Sequence, residues 1–145
     1  MRHRMAVALL ALVGALVSVY LLLFKLGVVG SLACGTGGGC ERVQASRWSS
    51  LLGVPVAGFG VAGYVVLLGI ALYGLRGEQV GRPGATRWLA GLSALGFLFS
   101  VYLLGLELFV IHAVCRWCTA SGLIITAICA VSLVGLRRPS RAPAP

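Results

Sequence analysis

The chain has 145 residues, of which 59% are hydrophobic and only 10% charged, a balance that excludes an ordinary soluble domain. A formal net charge of +9 invites a nucleic-acid reading, but there is no aromatic-interleaved basic patch to serve one. The charge sorts instead by position along the chain, and a lipid bilayer is the partner that this pattern predicts.

Four apolar runs, near 5–24, 54–75, 88–111 and 118–136, are each long enough for the roughly 20 helical residues that cross a bilayer. Little chain is left over, so 1–145 reads as one domain. The first run follows Arg2 and Arg4 and stops at Lys25-Leu26-Gly27. A cleaved signal would need a shorter apolar core and an A-x-A-like site, and neither is present.

Residues 26–52 form a long connection. Its first half, 28–39, carries five glycines and reads as flexible. In its second half Val43, Ser46, Trp48 and Leu51 or Leu52 recur at near-helical spacing. That spacing predicts a short amphipathic helix in the membrane interface, with Trp48 at headgroup depth.

Gly53-Val54-Pro55 turns the chain, and Pro55 suits the first turn of the next helix. Gly58, Gly60, Gly63 and Gly69 along that helix permit close packing, the commoner use, or the approach of a flat ligand. After the loop 77–86, the third run carries Glu107 near its far end. An acid at that depth is a functional candidate that could exchange protons with a bound redox ligand, although it could also snorkel to the interface. The fourth run begins at Cys118, and the tail 137–145 reads as disordered.

If the helices alternate, Arg2, Arg4, Arg76, Arg82, Arg87, Arg137, Arg138 and Arg141 fall on one side. Only Lys25, Arg42, Arg47 and Arg116 fall on the other. The positive-inside rule then places both termini in the cytoplasm of a multi-pass inner (plasma) membrane protein. Cys34, Cys40, Cys115 and Cys118 all face the opposite, oxidising compartment, where disulfides persist.

Two dithiols at one membrane surface point to electrons passed from one disulfide to the next. A C-x-x-C motif at a helix start lets the helix N-terminus stabilise a Cys115 thiolate, with Arg116 and a protonated His112 adding positive potential. As structural staples the pairs would do little. Closing the Cys34–Cys40 loop is worth about 2.4 kcal/mol and the Cys115–Cys118 loop roughly 2, against ~4.7 for a 100-residue loop. A four-cysteine zinc site fits poorly, because the five residues between Cys34 and Cys40 exceed the usual spacing. A small carrier of soft metal ions is the strongest non-enzyme alternative, but only the unpaired Cys129 lies within a span, where it reads as a small buried hydrophobe. Two external dithiols need a terminal acceptor, and a quinone takes two electrons as a dithiol gives two.

The Cys34-x5-Cys40 pair, the stretch from Cys40 through Ser46 and Trp48, the turn Gly53-Val54-Pro55, the run Ser100-Val101-Tyr102-Leu103 and the terminal Cys115-x-x-Cys118 together resemble the vitamin K epoxide reductase family. The order and spacing match over nearly the whole chain, in the manner of prokaryotic members, many of which carry a fused thioredoxin-like domain that this sequence lacks. The resemblance implies an all-α membrane protein, a four-transmembrane-helix bundle around a quinone of the ubiquinone, menaquinone or vitamin K type. The loop bearing Cys34, Cys40 and the short helix would cap that site from the extracytoplasmic side. A thioredoxin-fold extracytoplasmic partner would reduce the Cys34–Cys40 disulfide, Cys40 would attack Cys115, and Cys118 would pass the electron pair to the quinone. By the same resemblance Ser46 is a polar helper. Gly122 stands where vertebrate members place a tyrosine four residues after the last cysteine, beside the expected quinone site.

Overall fold

Small residues decide how the first helix faces its neighbours. A computed structural model of the chain describes residues 2–30, 38–78 and 82–138. In α1 (Arg2–Lys25) the buried face runs through Val7, Ala11, Gly14, Ser18 and Leu21, while Leu9, Leu12 and Leu16 point outward. Leucine gains nothing by leaving lipid for a neighbouring helix, so close backbone approach over small side chains selects the inner face. The ring of Tyr64, from α3 (Val56–Tyr73), lies where a Gly14 side chain would stand, and Gly60 of α3 sits against Ser18 Oγ. Gly63 and Gly69 border open space, so close packing uses only some of the glycines of α3. Gly27, at φ 80°, ends α1: its N–H reaches Phe24 O at 3.0 Å and the Val28 N–H reaches Leu23 O at 3.0 Å.

The segment expected as one amphipathic helix is broken into three pieces. α2 (Gly39–Ala45) ends at Ser46, whose hydroxyl donates to Val43 O at 2.7 Å while its backbone turns extended. A single 3-10 turn, Arg47–Ser49, follows, and then β1 (Ser50–Leu51) pairs antiparallel with β2 (Val54–Pro55). Lys25 Nζ clamps the break by donating to Gln44 O and Ser49 Oγ, each at 2.6 Å. Leu52 and Gly53, at φ 53° and 81°, make the two-residue hairpin turn, and Pro55 precedes α3 rather than lying within it. The local side-chain hydrogen bonds of Ser46 and Ser49 compete with helix continuation and win.

α4 (Gly84–Leu106) starts just after Pro83 and runs into a π-helical turn, Glu107–Ile111. The chain then reverses into α5 (Arg116–Arg137). α1, α3, α4 with its π turn, and α5 are each long and apolar enough to cross a membrane. The protein is thus an all-α membrane protein, a bundle of four spanning helices with α2 and the small hairpin set against one end.

At the other end Arg4 is buried, donating to the carbonyls of Gly74 and Arg82 and to Thr86 Oγ1, which His3 also meets. His3 packs on Gly135 as well. The start of α1, the α3–α4 connection and the end of α5 therefore meet at the arginine-rich end, opposite the cysteines.

Candidate active site

α2 opens with Gly38 in the left-handed region, at φ 63°, followed by Gly39. A side chain on Gly39 would collide with the carbonyl of Val114. The glycine run was expected to supply mobility; at Gly39 it supplies close approach, pressing the start of α2 against the segment that leads into Cys115. Cys40 and Cys115 are 1% and 0% exposed and share one buried cluster with Leu21, Val43 and Ala113. Cys118 packs against the same cluster. Cys40 is disulfide-bonded, whereas Cys115, Cys118 and Cys129 carry free thiols. Cys34 lies outside the described residues.

Three contacts build the second pair. Cys115 caps α5 with extended backbone, and its Sγ accepts the backbone N–H of Cys118 at 3.3 Å. The backbone N–H of Cys115 donates to Glu107 Oε2 at 3.2 Å. Gln44, from α2, donates its side-chain amide to Cys118 Sγ at 3.6 Å. The Cys115 thiol is held below its ordinary value, chiefly by its hydrogen bond with the Cys118 side chain; burial and the Glu107 carboxylate oppose that shift. Arg116 and His112, expected to supply the positive potential, are both exposed and are not among its causes.

The π turn is what makes this geometry possible. His112 sits at φ 55° and closes the turn with its N–H on Glu107 O, and the Ala113 N–H reaches the same carbonyl at 3.1 Å. Glu107 is thereby turned inward at 4% exposure, and the snorkelling alternative is not what the fold adopts.

Beneath Cys118 lies a cavity of about 760 Å³ between the helices, roofed by Val43, Gln44, Ser46 and Trp48. Its walls are mainly apolar, and they include lipid-facing Phe59 and Val66 of α3 and Leu95 and Val101 of α4. The polar groups at its cysteine end include Gln44, Ser46, Glu107, Cys118 and Ser121. Tyr64 also borders it, donating its hydroxyl to Ser121 O at 2.6 Å.

Across residues 5–133 the chain matches the family model described as the vitamin K epoxide reductase family. The chain belongs to the vitamin K epoxide reductase family. It is accordingly a multi-pass membrane protein of a redox-enzyme family that works through cysteines.

Within this family member, Cys40, Cys115 and Cys118 come together, and Ser46 and Gly122 both border the cavity. The Ser46 hydroxyl is engaged locally with Val43 O, and a side chain added at Gly122 would meet only Ser100 Cβ, at 3.8 Å. Cys129 is far along α5 and half-buried. Trp48, expected at headgroup depth, lines the cavity roof with the Arg47 guanidinium 5.0 Å above its ring. Gln44, Tyr64 and Ser121 were not singled out from sequence. Gln44 lies one helical turn after Cys40, and Ser121 nearly one turn after Cys118, so both spacings held a signal. Tyr64 held another, as a hydroxyl midway along an apolar span.

Proposed function

We propose that this protein is a quinone-dependent thiol–disulfide oxidoreductase that generates disulfides for a thioredoxin-fold partner on the extracytoplasmic side. The observation that carries the reading is the clustering of buried Cys40 and Cys115 with half-buried Cys118 above an apolar cavity that Cys118 itself lines. The reduced partner gives up its two thiols to the Cys34–Cys40 disulfide and leaves with its own disulfide. Cys40 then attacks Sγ of Cys115 in the Cys115–Cys118 disulfide and Cys34 attacks Cys40, which re-forms the Cys34–Cys40 disulfide and leaves Cys115 and Cys118 as thiols carrying the two protons, with Cys118 facing the cavity. The volume, the apolar walls and the few polar groups suit a flat, lipid-soluble acceptor. Gln44, Ser46 and the Ser121-Gly122 backbone would hold its ring, with any apolar tail leaving past the lipid-facing residues of α3 and α4. A quinone bound there supplies a sink for two electrons.

The burial of Cys40 and Cys115 in one cluster excludes water and competing thiols, so exchange is confined to partners that fit. The arginine-rich end supports a cytoplasmic placement of both termini, by the positive-inside rule.

The test is trapping. In the Cys118→Ser variant, mass spectrometry should find a Cys40–Cys115 crosslink, and quinone-dependent oxidation of a reduced thioredoxin-fold protein in membranes should be abolished. Cys129→Ala should retain it. Full turnover in the Cys118→Ala variant would refute the relay.

A further inference from the structure

Of the three acidic residues in the chain, Glu41 and Glu78 are exposed and Glu107 alone is buried. A carboxyl at this depth is costly unless it is used, and here a π-helical turn is spent on directing it inward. One oxygen accepts the Cys115 backbone N–H at 3.2 Å, and Cys118, three residues on, borders the same cavity as the carboxyl. Among the described residues, the titratable groups that face it are Cys115 and Cys118, both from the start of α5.

We propose that Glu107 is the proton acceptor for Cys118, moving the thiol proton between the sulfur and the cavity. The inference rests on the proposed quinone-linked reaction and adds the proton path to it. When the Cys115–Cys118 dithiol is oxidised, two S–H bonds break, one S–S bond forms, and two electrons and two protons pass to a quinone, giving the quinol. Glu107 starts as the carboxylate, takes the proton from Cys118 Sγ as the sulfur becomes the electron donor, and returns to the carboxylate when that proton passes to a quinone oxygen. The second proton comes from the Cys115 thiol, so charge and atoms balance over the cycle. No other carboxylate among the described residues reaches this cavity.

Glu107→Gln separates proton transfer from positioning, because the amide oxygen still accepts the Cys115 N–H but cannot take a proton. The first readout needs no quinone: alkylation of Cys118 in reduced, quinone-free protein by a lipid-soluble maleimide that enters the cavity. A carboxylate that acts only as a nearby negative charge disfavours the thiolate, so its removal would speed alkylation. A carboxylate that accepts the proton speeds alkylation, so its removal slows it. General-base assistance is worth about 10²–10⁴-fold, and we expect Glu107→Gln to slow alkylation by about 10²-fold or more and Glu107→Asp to recover part of the rate. Equal or faster alkylation in Glu107→Gln overturns the proposal.

A second measurement uses the unmodified protein, so it holds even if the variants fail to fold. Alkylation of Cys118 should be slower in deuterium oxide if a proton is in flight; an inverse isotope effect, the mark of a preformed thiolate, overturns the proposal. Quinone-dependent turnover is read alongside, and Glu107→Gln should lower it by a similar factor. A wild-type protein that passes no electrons to quinone sinks the proposed function, while the alkylation arm still decides whether Glu107 takes the Cys118 proton.

Discussion

Gln44 Nε2 donates a hydrogen bond to Cys118 Sγ at 3.6 Å, joining the capping helix α2 to the first turn of α5. Gln44 is buried, and its backbone carbonyl is separately held by Lys25 and Ser49. A side-chain change therefore removes the sulfur contact without releasing the loop. A hydrogen bond to a charged group contributes about 1.5–3 kcal/mol. Gln44→Leu should slow electron transfer from Cys118 to an added quinone by roughly tenfold or more in rapid mixing. The Cys40–Cys115 crosslink in the Cys118→Ser background should form as before. An unchanged transfer rate would show that the amide does not stabilise the Cys118 thiolate.

Cys115 makes a pH prediction. Its thiol is held below the ordinary value, first by the hydrogen bond with the Cys118 side chain. A lowered value means that the thiolate persists as pH falls and is lost only on passing the depressed midpoint. Removing the first cause in Cys118→Ala should move that midpoint upward. Ultraviolet thiolate absorbance against pH, with the Cys115→Ser variant as the blank, measures it. A midpoint that does not rise in Cys118→Ala would assign the shift to the helix N-terminus alone.

His112 holds left-handed backbone at φ 55°, where side chains other than glycine cost about 1–2 kcal/mol. It is exposed, so no packing is lost when it is changed. His112→Gly should keep or slightly raise thermal stability in detergent. His112→Val, β-branched at the same angle, should lower stability by about 1–2 kcal/mol. Equal midpoints for the two variants would mean that the turn after the π segment relaxes freely.

Gly14 and Gly69 offer a packing contrast. A methyl group on Gly14 would enter the space of the Tyr64 ring, whereas one on Gly69 meets nothing within 4 Å. Overpacking costs about 1–3 kcal/mol, so Gly14→Ala should lower the unfolding midpoint and disturb the Tyr64–Ser121 hydrogen bond at the cavity. Gly69→Ala should be neutral or mildly stabilising, since alanine gains about 1 kcal/mol over glycine within a helix. Thermal unfolding of the two variants side by side decides it, and equal losses would count against Tyr64 as the packing partner of Gly14.

Read as a string, the chain already determined the four spanning helices, the arginine-rich end and the placing of Cys40 and Cys115 just outside the spans. Transfer into lipid is nearly a sum over neighbouring residues, so a window of sequence carries it. The tertiary structure alone decided that Glu107 faces Cys115 rather than the interface, that Gln44 reaches Cys118, and that Ser46 breaks the expected helix into α2 and a hairpin. Hydropathy cannot distinguish a leucine in lipid from one against a helix, so facing is left to close packing over Gly14, Gly39 and Gly60. Those contacts join residues far apart in the chain, and only the folded bundle brings them together.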